Sequence, residues 1–193
     1  MSALLALLAL SYLCGAIPFS QVIARIRYGV DLRHTGDGNV GAGNLMGVCG
    51  PRAGIAAMLL DIAKGGVPVA LALSLGMGAA VALLAGTVAV AGHIWPAWLA
   101  FDGGRGAAPA LGAAVALGPL AGLAALVAGA VVLLWSRNTV AALAAAMPAM
   151  VVLTALIGRG LPVAIALIPL FVGVGLKDAW DRLARVSHQP EAS

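Results

Sequence analysis

Long apolar runs alternate with short polar joints along this chain, and the runs extend roughly over 2–24, 53–75, 77–94, 106–117, 119–135, 140–157 and 161–176. About 20 apolar residues in helical conformation match the hydrocarbon thickness of a bilayer, so the pattern predicts membrane-spanning helices. Glycine or proline marks the joints, as at Gly76-Met77-Gly78, Gly118-Pro119 and Gly158-Arg159-Gly160. Several runs are rich in glycine and alanine, which suits close helix packing in lipid. Only 106–135 is ambiguous: it reads as two short spans or as one long tilted helix.

Charge arbitrates between these. With two spans there, segments 25–52, 93–106, 136–139 and 177–193 share one side of the membrane. That side then carries Arg25, Arg27, Arg33, Arg52, Arg105, Arg137, Lys177, Arg182 and Arg185, against Arg159 alone on the other, with Lys64 inside a span. The bias is the one that marks cytoplasmic loops; with a single span it largely collapses. The expected fold is all-α: a polytopic membrane protein of seven transmembrane helices with cytoplasmic glycine-rich loops. Its N-terminus is expected outside and its C-terminus in the cytoplasm. One transmembrane domain fills residues 1–193, with 182–193 expected as a flexible cytoplasmic tail.

Composition agrees. Of 193 residues, 62% are hydrophobic and 9% charged, and the mean hydropathy is +1.05. That leaves too little polar surface to clothe a soluble globule. The net charge of +4 is spread over several loops, without the dense basic and aromatic surface of a nucleic-acid binder. Cys14 lies in the first run and Cys49 in a loop, so free thiols are expected rather than a disulfide framework. No basic segment or small-residue cleavage site accompanies the first run, which is therefore expected to be a retained span. No pattern points to a metal, a redox cofactor or a nucleotide, so the cofactor expectation is none.

Against this hydrocarbon background the run Gly36-Asp37-Gly38-Asn39-Val40-Gly41-Ala42-Gly43-Asn44 stands out. Irregular backbone is costly beside lipid, so a polar occupant is expected there. Alternating glycines let backbone N–H groups face one concavity of the kind that holds a phosphate. Gly38 and Gly41 supply that backbone, Asn39 and Asn44 add amides, and Arg33 stands just upstream. An ordinary turn-rich loop is the competing reading.

A second cluster runs from Gly92-His93-Ile94-Trp95-Pro96 to Phe101-Asp102-Gly103-Gly104-Arg105-Gly106. Gly103, Gly104 and Gly106 bracket the Arg105 guanidinium, so backbone donors and a fixed charge can meet one anion. Asp102 reads either as a partner of Arg105 or as a cap for the next helix. His93 reads as a general base or as an interfacial side chain beside Trp95 and Trp98. Asp61 and Lys64 lie three residues apart on one helical face, expected to point inward as a pair or as part of a site. Arg137 and Asn138 form a last polar knot, either a topological anchor or part of the same site.

Taken in order, these segments resemble the bacterial PlsY family, membrane glycerol-3-phosphate acyltransferases that use acyl phosphate. The resemblance rests on Gly15-Ala16-Ile17-Pro18-Phe19, Val30-Asp31-Leu32-Arg33 with Gly36 to Asn44, Leu60-Asp61-Ile62-Ala63-Lys64-Gly65-Gly66-Val67-Pro68, and the two motifs around His93 and Arg105. It implies a seven-helix fold in the bacterial plasma (inner) membrane with a cytoplasmic active site. It also implies transfer of a fatty acyl group from acyl phosphate to the 1-hydroxyl of glycerol 3-phosphate, giving lysophosphatidic acid for phospholipid synthesis. His93 and Arg105 are then the catalytic candidates. Arg33, Gly38, Asn39, Gly41, Asn44, Lys64, Gly103, Gly104, Gly106, Arg137 and Asn138 are the phosphate-binding candidates, and membrane lipid is the surrounding partner.

The chain departs from the family pattern where Asp37 replaces a serine, Gly43 a threonine, and Asp102 and Arg105 stand in a lysine-rich loop. A C-terminal His-Arg-x-Asn motif would fall near Leu176 to Ala179, and its His and Asn are absent. A non-catalytic phosphate or acyl-phosphate binder, or an acyltransferase with a different acceptor, is the alternative expectation.

Overall fold

A computed structural model of the chain describes residues 1–136 and, beyond them, 145–146, 148–150, 152–153, 156, 172–177 and 179–180. Arg137, Asn138, Arg159, most of 140–171 and the tail expected at 182–193 lie outside the described residues. Among the described residues the regular elements are α1 (Ser2–Ala16), α2 (Phe19–Tyr28), α3 (Ala42–Cys49), α4 (Pro51–Ser74), α5 (Gly78–Ile94), α6 (Ala107–Leu117) and α7 (Pro119–Ser136). Two short 3₁₀ turns, Leu32–His34 and Ala97–Leu99, complete them. Three apolar helical stretches, Ser2–Tyr28, Pro51–Ser74 and Gly78–Leu99, are long enough to cross a membrane.

The first run is not one uninterrupted helix over 2–24. Ile17 is extended (φ −64°, ψ 115°), because the ring of the following Pro18 disfavours helical backbone at the preceding residue and Pro18 has no N–H to donate. The chain restarts as α2, which ends at Gly29 in the left-handed region (φ 68°) with Arg25 and Arg27 in its last turn. Those cations sit where the helix dipole favours them. The segment 25–52, expected as loop, contains α3, and Cys49 closes that helix instead of lying in a loop. Gly43 and Gly47 lower the local helix signal of α3, yet packing against α4 supports it, with Leu45 fully buried.

The ambiguity over 106–135 resolves as two helices. Gly118 is extended (φ −151°, ψ 89°), and a Cβ on Gly122 of α7 would press into Val115 of α6. Residues seven apart on one continuous helix would be about 10 Å apart, so α7 folds back on α6. The eleven residues of α6 rise only about 16 Å, roughly half the hydrocarbon core.

Small residues let the helices approach closely. A Cβ on Gly15 would strike the Ala89 carbonyl where α1 crosses α5, and one on Gly112 would strike the Ile62 carbonyl where α6 crosses α4. Backbones this close gain van der Waals contact that larger side chains would block. One core, with Leu7, Val69, Ala85, Val90, Ala113 and Leu117, fills the bundle. A second, formed by Ala24, Leu32, Val40, Leu45, Ala53 and Ala57, lies beneath the first glycine-rich loop and pins it to α2, α3 and α4.

Candidate functional site

The glycine-rich loop is held from within. Gln21 Oε1 accepts the Leu32 N–H (3.0 Å) and Gln21 Nε2 donates to Asp31 (2.7 Å). Arg33 grips Asp31 through Nε (3.1 Å) and a terminal nitrogen (2.7 Å), and Arg25 donates to the same carboxylate (2.6 Å). The Arg33 bond above all, then that of Arg25, holds the Asp31 carboxyl well below the usual carboxylate range. Arg33, a phosphate-binding candidate, is thus already engaged by a carboxylate, though its side chain is 36% exposed.

Asn44 organises the rest of the loop. Its amide nitrogen lies within bonding distance of the carbonyls of Leu32 (3.2 Å), Thr35 (2.8 Å) and Asn39 (2.9 Å), and its oxygen accepts the Asp37 N–H (3.0 Å). The amide expected to face a ligand is therefore turned into the loop. Gly36 (φ +69°) lies so close that a Cβ there would strike the Asn44 oxygen. Asp37 accepts the Asn39 N–H (3.0 Å). The first N–H groups of α3 have no intrahelical partner, and its Gly41 cap supplies no side chain.

The second loop folds back on the end of α5. Gly103 donates to the Ile94 carbonyl (3.0 Å) and Gly104 to that of His93 (3.1 Å). A Cβ on Gly104 would collide with the His93 imidazole, so glycine is what allows backbone and ring to stack. Ala100 and Phe101 adopt positive φ (52° and 64°), a conformation that costs L residues energy and that is held in place by the N–H groups of Leu99 and Phe101 donating to Pro96, of Ala100 to Ala97 and of Asp102 to Leu99. The Tyr12 hydroxyl donates to the Trp95 carbonyl (2.8 Å), fixing this turn to α1.

Beneath both loops lies a buried ionic cluster. Lys64 Nζ is 2.8 Å from Asp61 Oδ1, each side chain 2% exposed. The ammonium also donates to the Ile17 carbonyl (2.6 Å) and stands 5.6 Å from the centre of the Phe19 ring. Ile17 is where α1 breaks, so Lys64 satisfies a carbonyl that a continued helix would have bonded. His93 Nδ1 is 3.8 Å from Asp61 Oδ1, and the side chain is 8% exposed. The interfacial reading of His93 does not hold: it faces the cluster from α5. The inward orientation expected of Asp61 and Lys64 is present, and Lys64, a phosphate-binding candidate by sequence, has its donors directed at protein partners.

The two loops meet through charge. A terminal nitrogen of Arg105 lies 3.0 Å from Asp37 Oδ2, across 68 residues of sequence. Asp102 pairs with Lys177 instead (3.6 Å), and it does not cap α6, which begins at Gly106 in the left-handed region with no side-chain cap. Both readings offered for Asp102 give way, since its chain neighbour Arg105 is turned toward the first loop. An exposed pair of this kind contributes about 0–1 kcal/mol.

Under the junction is a small pocket, about 10 Å³, lined by Ile17, Phe19, Val40, Asp61, Lys64, His93 and Gly104 among others. That is room for about one water. Lys64, His93, Gly103 and Gly104 of the sequence-predicted set line it, and Arg105 joins the two loops above. Asp37, Phe19 and the Ile17 carbonyl were not anticipated there. No local spacing announces Asp37 as a partner of Arg105; only opposite charge in two glycine-rich loops hints at it. Arg137 and Asn138 lie outside the described residues.

Three comparisons bear on the arrangement. The family model described as "Glycerol-3-phosphate acyltransferase" matches residues 5–185. Curated relatives include glycerol-3-phosphate acyltransferase 5 of Dehalococcoides mccartyi, 43% identical over 115 residues, which are 60% of this chain and 49% of that one. The enzyme so named from Myxococcus xanthus is 47% identical over 121 residues, 62% of this chain and 63% of its own. The match thus spans about half the length of the Dehalococcoides relative. Among solved structures, PlsY (YgiH), described as an integral membrane glycerol 3-phosphate acyltransferase in its glycerol 3-phosphate form, superposes with a TM-score of 0.84 at 30% identity. That superposition covers 96% of this chain and 92% of the other.

Proposed function

Because this chain belongs to the glycerol-3-phosphate acyltransferase family, we propose that it is a membrane acyltransferase that moves a fatty acyl group from acyl phosphate to glycerol 3-phosphate, yielding lysophosphatidic acid. The family match across residues 5–185 is the observation that carries this reading. The solved relative described as the glycerol 3-phosphate form supports it with the same overall shape.

The acceptor hydroxyl attacks the acyl carbon, its proton passes to a base, and phosphate leaves with the bonding electrons. Two charges need stabilising: the oxygen of the tetrahedral intermediate and the departing phosphate. Arg105 and the first N–H groups of α3 supply positive potential toward those oxygens, which favours the transition state over the ground state, while the N–H groups of Gly103 and Gly104 are spent on the carbonyls of Ile94 and His93. His93, the imidazole lining the pocket, takes the hydroxyl proton. Arg33 and Lys64 contribute through the field around the site, their direct bonds being to Asp31 and Asp61. The acyl tail lies among the helices, in contact with the bilayer.

The same reading orients the chain in the bacterial inner membrane with seven crossings, the N-terminus outside and both glycine-rich loops in the cytoplasm. Arg137 and Asn138 belong to this cytoplasmic site. The excess of basic residues on one side supports it.

Purified protein given palmitoyl phosphate and glycerol 3-phosphate should release inorganic phosphate and form lysophosphatidate. Absence of turnover in folded protein would overturn the reaction. One observation favours a second reading. Near the place where the family carries a C-terminal His and Asn, this chain has Lys177, and it reaches Asp102 of the second loop. A cation there suits an altered acceptor, or a phosphate binder without turnover. Thermal stabilisation by phosphate, with no product from glycerol 3-phosphate, is the outcome that would select it.

A further inference from the structure

We infer that Asp37 is the resident occupant of the anion seat on Arg105 and thereby sets how tightly that seat takes a phosphate group. The inference deepens the proposed function and rests on its assignment of Arg105 to phosphate binding.

Asp37 is aimed at Arg105 by its own loop. Its main-chain N–H is held by Asn44 (3.0 Å) and its Oδ1 accepts from Asn39 (3.0 Å). These bonds leave Oδ2 toward the guanidinium at 3.0 Å. Arg105 is positioned separately, from the opposite loop, where Gly103 and Gly104 are tied to the carbonyls of Ile94 and His93. Neither residue depends on the other for its place in the chain.

A carboxylate oxygen offers a guanidinium the same charge-assisted contact as a phosphate oxygen. The two anions therefore compete for one donor face. The competition is lopsided in a useful way: Arg105 is only 16% exposed while Asp37 is 43% exposed. The carboxylate can swing into water and leave the guanidinium behind in its seat. A phosphate bearing close to two negative charges then replaces a group bearing one. Asp37 raises the threshold for entry, so weakly charged anions are excluded while a phosphate ester or acyl phosphate is accepted. The serine usual in the family at this position carries no charge to compete.

Calorimetric titration of inorganic phosphate into the full-length chain in detergent tests this. Asp37→Asn should bind phosphate more tightly than the parent by roughly two- to fivefold, the scale of an exposed ion pair that no longer has to be broken. Asp37→Ser, which keeps an acceptor for the Asn39 N–H, should do the same, and Asp37→Glu should not. The gain should vanish in the Arg105→Ala background. Equal or weaker binding by both neutral variants would overturn the inference, because a residue that only ties the loops together would weaken the site when neutralised. A gain that persists without Arg105 would overturn it too. Turnover with palmitoyl phosphate and glycerol 3-phosphate, measured on the same preparations, judges the parent reaction separately: its absence would refute that reaction while the phosphate titrations still decide the role of Asp37.

Discussion

Lys64 illustrates what single residues do here, because its ammonium answers the Asp61 carboxylate, the Ile17 carbonyl and the Phe19 ring at once. Replacing it by Met would leave a buried carboxylate unpaired, and the folded protein should lose about 3–5 kcal/mol. Denaturant titration in detergent would check this, with Lys64→Arg retaining more stability than Lys64→Met. Arg105→Ala should weaken donor binding by about 1.5–3 kcal/mol, the worth of hydrogen bonds to a charged group. A donor KM equal to that of the parent would count against its contact with phosphate. His93→Ala should abolish most turnover while leaving phosphate binding near its parent value. Asp31 adds a pH dependence with a defined sign. Its folded carboxyl is lowered by Arg33 and then Arg25, so its contribution is fully present above the ordinary value of about 3.9 and is lost progressively as pH falls from there toward the lowered folded value. The Val30–Thr35 segment should therefore keep its proteolytic resistance at neutral pH and lose it in acid, and Asp31→Asn should remove that difference.

Helices meet where a side chain larger than hydrogen would not fit, and this sets what an element tolerates. Gly112→Leu would force α6 off the Ile62 carbonyl of α4, and Gly15→Leu would force α1 off the Ala89 carbonyl of α5. Each should cost at least about 1–3 kcal/mol by overpacking. A lowered thermal midpoint or loss of monodispersity in size-exclusion chromatography would report it. Gly47→Ala in α3, which meets no neighbouring atom within 4 Å, serves as the tolerated control. The hydrophobic pattern anticipated the positions of α4, α5 and the α6–α7 pair because lipid demands long apolar stretches. It missed the break of α1 at Pro18 and the short α3. Averaged over a span, one proline among apolar residues barely alters hydropathy, and α3 depends on packing against α4 more than on propensity.

For the whole molecule, a face of the bundle collects the two glycine-rich loops, the Lys64 cluster and the short pocket. Reporter fusions and cysteine accessibility around Thr35 and Asp102 should place both loops on the cytoplasmic side, together with the C-terminus. Labelling of either position from the outside would reject that orientation. The loops are expected to act as one unit, since Arg105 and Asp37 bridge them and Lys177 reaches Asp102 from the C-terminal end.

By itself the sequence determined that this chain lives in a membrane and that its elements are helices, and it singled out two glycine-rich segments, with Arg105 and His93, as candidates for polar chemistry. Those properties follow from composition and period, which every residue reports independently of its distant neighbours. Tertiary structure alone decided who answers whom. It paired Arg105 with Asp37 rather than with Asp102, turned Asn44 into its own loop, buried His93 against Asp61, and gave Lys64 to the carbonyl exposed at Pro18. Such partners lie from five to 68 residues apart. An unpaired charge or carbonyl in a low-dielectric interior is satisfied by whatever packing brings within about 3 Å, and no local spacing records that choice.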